Sequence, residues 1–69
     1  MVIKAPMQGL MVKIAVRVGD HVKLGDVVAI LEAMKMQNDI VSMTSGEVTG
    51  ILVSEGDVVS MNQPIISVS

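Results

Sequence analysis

The 69-residue sequence has no cysteine and no phenylalanine, tyrosine or tryptophan. Without cysteine, neither a disulfide framework nor a thiolate metal site can supplement the core. Without aromatic rings, the chain offers no platform on which nucleic-acid bases could stack. Valine, isoleucine, leucine and methionine must therefore fill the interior. Because a chain of this size buries only about 60% of its unfolded surface, we expect one domain, over residues 1–69, with one small core.

The chain also has little net charge, since 5 basic and 7 acidic residues leave a formal charge of -2. This balance argues against a surface that follows nucleic-acid phosphates, so no nucleic-acid partner is expected. No apolar run approaches the roughly 20 residues of a membrane span. No signal-peptide core precedes Pro6. We expect no membrane insertion, and a cytoplasmic location is the default.

An internal repeat organises the chain. Shifting the sequence along itself by 37 positions aligns Gly9 with Gly46, Ile14 with Ile51, Val16 with Val53, Gly19-Asp20 with Gly56-Asp57, and Val22 with Val59. Each half is too small to bury its own apolar face. The two halves are therefore expected to pack together with approximate twofold symmetry.

Inside each half, apolar and polar residues alternate with the period of a β-strand. The alternation predicts inward-facing side chains at Val12, Ile14, Val16 and Val18 and, more weakly, at Thr49, Ile51 and Val53. No window shows a capped helical period. The pattern predicts strands at Val2–Ala5, Met11–Arg17, His21–Lys23, Val27–Ala33, Met36–Ser42, Glu47–Val53, Val58–Ser60 and Ile65–Val68.

Turn-forming residues separate these strands. They stand at Gly9, Gly19-Asp20, Gly25-Asp26, Ser45-Gly46, Glu55-Gly56-Asp57 and Asn62-Gln63-Pro64. Short strands at regular spacing indicate an all-β fold. We expect a flattened β-barrel or sandwich of two four-stranded halves with quasi-twofold symmetry.

One predicted hairpin breaks the usual turn chemistry. Val27–Ala33 is followed at once by Met36, so only Met34 and Lys35 connect the two strands. Two-residue loops favour Asn-Gly or other glycine-containing pairs, because their turns need positive φ. A local rule broken without structural gain suggests function, although a hairpin lysine is usually just a solvated residue. Shifting Lys35 by 37 falls outside the chain in either direction, which places it at the end opposite both termini.

Three groups of short motifs cover nearly the whole chain: Ala5-Pro6-Met7 with Gly9, Val18-Gly19-Asp20 with Val22-Lys23 and Gly25-Asp26, and Glu32-Ala33-Met34-Lys35-Met36 with Asn38. Together these motifs resemble the biotinyl-carrier family, the biotin/lipoyl attachment family. The resemblance implies a barrel-sandwich hybrid fold. It also implies that a biotin protein ligase joins the carboxyl group of biotin to the ε-amine of Lys35, with flanking recognition residues Glu32, Ala33, Met34 and Met36.

By the same resemblance the chain is a carrier without catalytic residues of its own. Biotin on Lys35 would carry a carboxyl group between a biotin carboxylase and a carboxyltransferase or decarboxylase. No insertion stands between Met11 and Val18. The chain therefore resembles the thumbless type found in propionyl-CoA and pyruvate carboxylases and in biotin-dependent decarboxylases. The partner would recognise the acceptor of the carboxyl group.

A few residues depart from the family pattern or could be mistaken for other sites. Ser42-Met43-Thr44-Ser45 stands where many relatives have Ala-Pro, and Asn62 replaces a common glycine but can adopt a left-handed conformation. His21 is the only histidine, so we expect an exposed or hydrogen-bonded side chain and no metal site. Asp20 and Asp57 are expected to cap turns rather than to act as paired catalytic carboxylates.

Three other functions compete with this interpretation. A lipoyl carrier of a 2-oxo acid dehydrogenase type complex has the same fold, but by resemblance it seldom has methionine on both sides of the lysine. A structural barrel-sandwich module of a membrane-fusion adaptor tends to insert a long helical hairpin between the halves, which the Met34-Lys35 turn leaves no room for. A stand-alone hydrolase or transferase lacks a nucleophile and base pair.

Overall fold

The computed structural model describes all 69 residues, Met1–Ser69, and has eight β-strands. They are β1 (Val2–Lys4), β2 (Gly9–Ile14), β3 (His21–Val22), β4 (Val27–Ala33), β5 (Met36–Val41), β6 (Gly46–Ile51), β7 (Val58–Val59) and β8 (Pro64–Val68). Each of the eight predicted strands is present, which confirms the all-β prediction. No helix capable of crossing a membrane is found.

The strands form two four-stranded antiparallel sheets, with the orders β1-β8-β6-β3 and β5-β4-β2-β7. Each sheet takes two strands from each half of the sequence. The bounds of β2 and β6 differ by 37 residues, as do those of β3 and β7. The sheets therefore correspond strand by strand, which confirms the predicted twofold relation. The structure adds that the two halves interleave.

Four β-bulges follow the same symmetry. The strand registers leave one residue without a partner at Val12 and Thr49, and another at Val28 and Ile65. Within each pair the two residues are 37 positions apart. An extra residue in a strand reverses which face the following side chains occupy. Each half of the chain therefore contains the same two bulges at equivalent positions, so the bulges are a feature of the repeated fold.

The bulges correct part of the predicted alternation. Val12 is only half-buried and Thr49 is exposed, whereas their neighbours Met11 and Val48 are fully buried. A uniform period of two cannot hold across the extra residue, which explains both errors. Val18 was also predicted to face inward but is 62% exposed, because it lies in a turn that the hydrogen bond from the Asp20 N–H to the Arg17 carbonyl oxygen closes. The other inward predictions, Ile14, Val16, Ile51 and Val53, pack against the core.

The core lies between the two sheets and consists of aliphatic side chains alone. Its members are Ile3, Ala5, Met11, Val22, Val28, Ala29, Leu31, Ile40, Val48, Val59, Ile65, Ile66 and Val68. The one buried polar residue is Ser42, whose hydroxyl donates to the carbonyl oxygen of Thr44. Ser42 takes the place that Ala5 has in the other half. The hydrogen bond lets a polar side chain occupy that place.

Side chains from the turns hold the strand connections. The carboxylate of Asp20 accepts the backbone N–H of Arg17 at 2.9 Å, and that of Asp57 accepts the N–H of Ser54 at 2.9 Å. Both aspartates therefore cap turns, as predicted. Asn62 has a φ of 67°. It adopts the left-handed conformation that was predicted for it.

Gly9 and Gly46 do not form turns, contrary to the prediction. They are the first residues of β2 and β6, and neither has a positive φ. A Cβ atom on Gly9 would lie 2.5 Å from the carbonyl oxygen of Glu32, and one on Gly46 would lie 2.5 Å from that of Ser69. Both glycines are needed because two backbones approach closely.

We expect Gly9→Ala to lower the free energy of unfolding by about 1–3 kcal/mol, because the methyl group would push β2 away from β4. Urea denaturation measures this change. Gly50→Ala is a matched control, since its Cβ would meet the rotatable Ser67 hydroxyl at 2.8 Å and not a backbone atom. A Gly9→Ala variant that loses no more stability than Gly50→Ala would contradict the close approach.

Candidate functional site

The predicted two-residue turn is present at the tip of the hairpin formed by β4 and β5. The last strand pair is Ala33 with Met36, so Met34 and Lys35 alone make the connection. Their φ angles are 54° and 64°. Two successive positive φ values mark a type I′ turn, whose twist matches that of the flanking strands. The backbone geometry of this turn favours Asn-Gly, but its two residues are methionine and lysine, which disfavour a positive φ.

This conformation stores strain. A residue other than glycine in the left-handed region costs roughly 1–2 kcal/mol, because its Cβ approaches backbone atoms. Besides the two turn residues, only Asn62 has a positive φ without being glycine, and asparagine tolerates it. The strand pairing on either side must therefore hold Met34 and Lys35 in place.

The neighbouring strand anchors the hairpin just below its tip. Among the pairs that β2 forms with β4, the one nearest the tip is Leu10 with Glu32, followed by Met11 with Leu31. Gly9 lies against the Glu32 carbonyl at that point. The four residues from Ala33 to Met36 therefore project past the edge of the supported sheet. Sequence analysis missed this role of Gly9, although its recurrence as Gly46 was the available signal.

The five predicted site residues come together at this tip. Lys35 and Glu32 are exposed, Ala33 is half-buried, and Met34 and Met36 have exposed fractions of 93% and 67%. A primary amine without cover can reach an activated carboxyl group held by another protein. The two thioethers beside it form a small apolar surface that a partner can bury. The arrangement suits presentation of the lysine rather than catalysis at it.

Other candidate residues have structural roles. His21 is exposed, and its Nδ1 lies 3.3 Å from the carbonyl oxygen of Gly46, as an exposed or hydrogen-bonded histidine should. No three His, Asp or Glu side chains are grouped as a metal site requires. A groove of about 380 Å³ lies between the edge strands β1 and β5, but none of the five tip residues lines it.

Comparison with known proteins finds similarity to proteins that are named for biotin. A family model described as "Biotin-requiring enzyme" matches residues 1–68. The chain is 43% identical over 65 residues to a biotin carboxyl carrier protein of Streptococcus mutans serotype c (strain ATCC 700610 / UA159), covering 94% of this chain and 50% of that protein. It is also 45% identical over 58 residues to a biotin-dependent acyl-coenzyme A carboxylase alpha3 subunit of Mycobacterium leprae (strain TN), covering 84% and 10%.

Solved structures agree with the sequence comparison. The urea carboxylase of Kluyveromyces lactis superposes with a TM-score of 0.93 at 33% identity, over 100% of this chain and 6% of that one. The chain therefore corresponds to a small part of the carboxylases it matches, and to half of the carrier protein.

We expect Met34→Asn to raise the free energy of unfolding by about 0.5–1 kcal/mol, because asparagine occupies the left-handed region with less strain. Thermal and urea denaturation measure the gain. Met36→Asn is the control: Met36 lies in β5 without a positive φ, and asparagine is unfavourable in strands. An equal gain from both variants would show that the turn is not the source of the effect.

Proposed function

This chain belongs to the family of biotin-requiring enzymes, in which it is a biotin carrier domain, and we propose that Lys35 is the residue that bears its covalent biotin. One observation carries the proposal. The amine stands on an exposed, strained two-residue turn, between two exposed methionines, at the tip of a hairpin whose base is anchored to β2. The three other lysines, Lys4, Lys13 and Lys23, have no comparable position in the fold.

The tip residues fit attachment of biotin through an amide bond. The Lys35 amine, once deprotonated, attacks the carboxyl carbon of biotin that a biotin protein ligase has activated with ATP. The C–N bond forms, the bond from that carbon to the activating group breaks, and this group leaves with the bonding electrons. The positive charge of the lysine is lost in this step, which makes the tip easier to transfer out of water. We propose that the ligase contacts the exposed Met34, Met36 and Glu32. Ala33 has a small, half-buried side chain beside this contact.

In this proposal the domain acts by holding the attached biotin near the active sites of other proteins. When bound, biotin supplies a ureido ring that accepts and releases a carboxyl group. The chain supplies no catalytic group in this proposal. Its hairpin keeps the arm at high effective concentration near a biotin carboxylase and near a carboxyltransferase or decarboxylase. The carboxylases among its relatives support these partners.

The lipoyl alternative has less support. A lipoyl carrier would present its lysine on the same kind of hairpin, so the fold does not separate the two. The matched carrier protein and carboxylases are named for biotin. The methionines on both sides of Lys35 favour biotin as well. The tight turn also supports a carrier over an adaptor with a helical insertion, because only two residues separate β4 from β5.

We expect the unmodified protein, incubated with a biotin protein ligase, ATP and biotin, to gain the mass of one biotinyl group. Lys35→Ala should gain none, because it removes the acceptor amine. Intact-mass spectrometry gives the number of groups added. Lys13→Ala is the matched control, since Lys13 is an exposed lysine near the end of β2, away from the tip, and should not change the reaction. Biotin retained by Lys35→Ala, or absent from the wild type, would disprove the assignment.

A second expectation concerns stability. Lys35→Ala should change the free energy of unfolding by no more than about 0.5 kcal/mol, because the side chain is exposed and the left-handed backbone strain is the same for alanine. Thermal denaturation compares the variants. Leu31→Ala in the buried core of the same hairpin is the reference and should cost about 2–5 kcal/mol. A comparable loss for Lys35→Ala would instead indicate a structural lysine.

A further inference from the structure

Methionine is distributed unevenly between the core and the surface of this protein. Met11 is fully buried and Met7 is half-buried against the core. The other five methionines are exposed, with fractions of 93% at Met34, 68% at Met43, 67% at Met36, 65% at Met1 and 64% at Met61. Met34 is thus the most exposed of the large apolar side chains, and two of the five exposed thioethers flank a single lysine.

We propose that Met34 and Met36 form a site of modification by hydrogen peroxide, and that their sulfoxides make Lys35 a poor acceptor for the ligase. This inference rests on the proposed function of Lys35. In the reaction a sulfur lone pair attacks one peroxide oxygen and the O–O bond breaks. That oxygen becomes the sulfoxide oxygen, and the other leaves as water after the transfer of a proton. The thioether is oxidised by two electrons and the peroxide is reduced.

Exposure explains why these two thioethers would react. Oxidation of methionine follows the access of the oxidant to sulfur. Met34 projects from a turn without a strand partner, and Met36 is on the edge strand β5. Neither side chain belongs to the core or packs against it. The buried Met11 should be protected as long as the protein remains folded.

The higher polarity of the oxidised methionines explains why the ligase would attach biotin to Lys35 less efficiently. An enzyme that acylates Lys35 must surround its amine and, with it, the two neighbouring side chains. Burial of a thioether is favourable, whereas burial of a sulfoxide oxygen without a hydrogen-bond donor is unfavourable. Two such groups at the centre of a small contact surface should lower kcat/KM for ligation by about tenfold or more.

The fold itself should tolerate this oxidation. The turn is held by the strand pairing of β4 with β5 and β2, in which the methionine side chains take no part. The melting temperature of the oxidised protein should therefore stay close to that of the untreated protein. A loss of ligation without a loss of stability would separate an effect at the tip from unfolding.

The test exposes the full chain, before biotinylation, to hydrogen peroxide, removes the oxidant, and measures kcat/KM with a biotin protein ligase. Peptide mass spectrometry gives the fraction of sulfoxide at each methionine. The tip variant carries Met34→Leu and Met36→Leu, which keep the apolar volume without sulfur. The matched control carries Met43→Leu and Met61→Leu, which remove two other exposed methionines, outside the tip.

Peroxide should lower ligation of the wild type and of the matched control about tenfold and leave the tip variant unchanged. Treatment of the oxidised wild type with methionine sulfoxide reductases for both sulfoxide epimers and a thiol should restore the rate. An equal loss in the tip variant, or full activity of wild type oxidised at both tip residues, would overturn the inference alone. If the tip variant is itself a poor substrate, recovery on reduction decides the question, and no recovery overturns it. Untreated wild type that accepts no biotin would refute the proposed function together with the inference.

Discussion

The structure depends on two buried residues whose backbones join the two halves of the chain. Met11 donates its N–H to the carbonyl oxygen of Asp57 at 2.8 Å and accepts the N–H of Gly56 at 2.7 Å. Val48 does the same with Asp20 and Gly19, with both distances 2.8 Å. Each half therefore completes the backbone hydrogen bonding of the other. Because buried backbone groups must be paired, neither half can close without its counterpart.

The bulges make this exchange possible. Met11 pairs with Leu31 on one side and with the Gly56 turn on the other, and the unpaired Val12 follows at once. The extra residue bends β2, so that this one strand can form hydrogen bonds both with its own half of the chain and with the opposite half. The unpaired residue in each strand also lets the side chains of Met11 in β2 and Val48 in β6 point inward, where they join a core of aliphatic side chains from both sheets. In a chain without aromatic residues, sharing the core between the halves is what makes it large enough.

Much of this arrangement was predictable from the sequence. The strand positions, the left-handed Asn62 and the two-residue turn at Met34-Lys35 follow from patterns within a few residues, and the twofold relation follows from alignment of the two halves. The inward orientation of Met11 was not predictable, because a bulge depends on the pairing of two strands and the sequence of one strand does not reveal it. Gly9 was read as a turn residue for the same reason: its function is to let the Glu32 carbonyl approach, and that neighbour is distant in sequence. The tip was predicted as a set of residues at the end opposite both termini, but the high exposure of its two methionines and its support from β2 required the structure.

The symmetry also explains why one end of the fold can hold a strained turn and the other cannot. The equivalent of the β4 and β5 hairpin is the antiparallel pair of β8 and β1, which are not consecutive strands and so are not joined by a hairpin turn. Only one of the two equivalent positions is closed by a turn, so the fold presents a single tip. Strain in that turn is borne by strand pairs on both sides of β4, and the core does not depend on it. Because the tip contributes nothing to the core, a lysine between two methionines can stand there although Asn-Gly would be more stable.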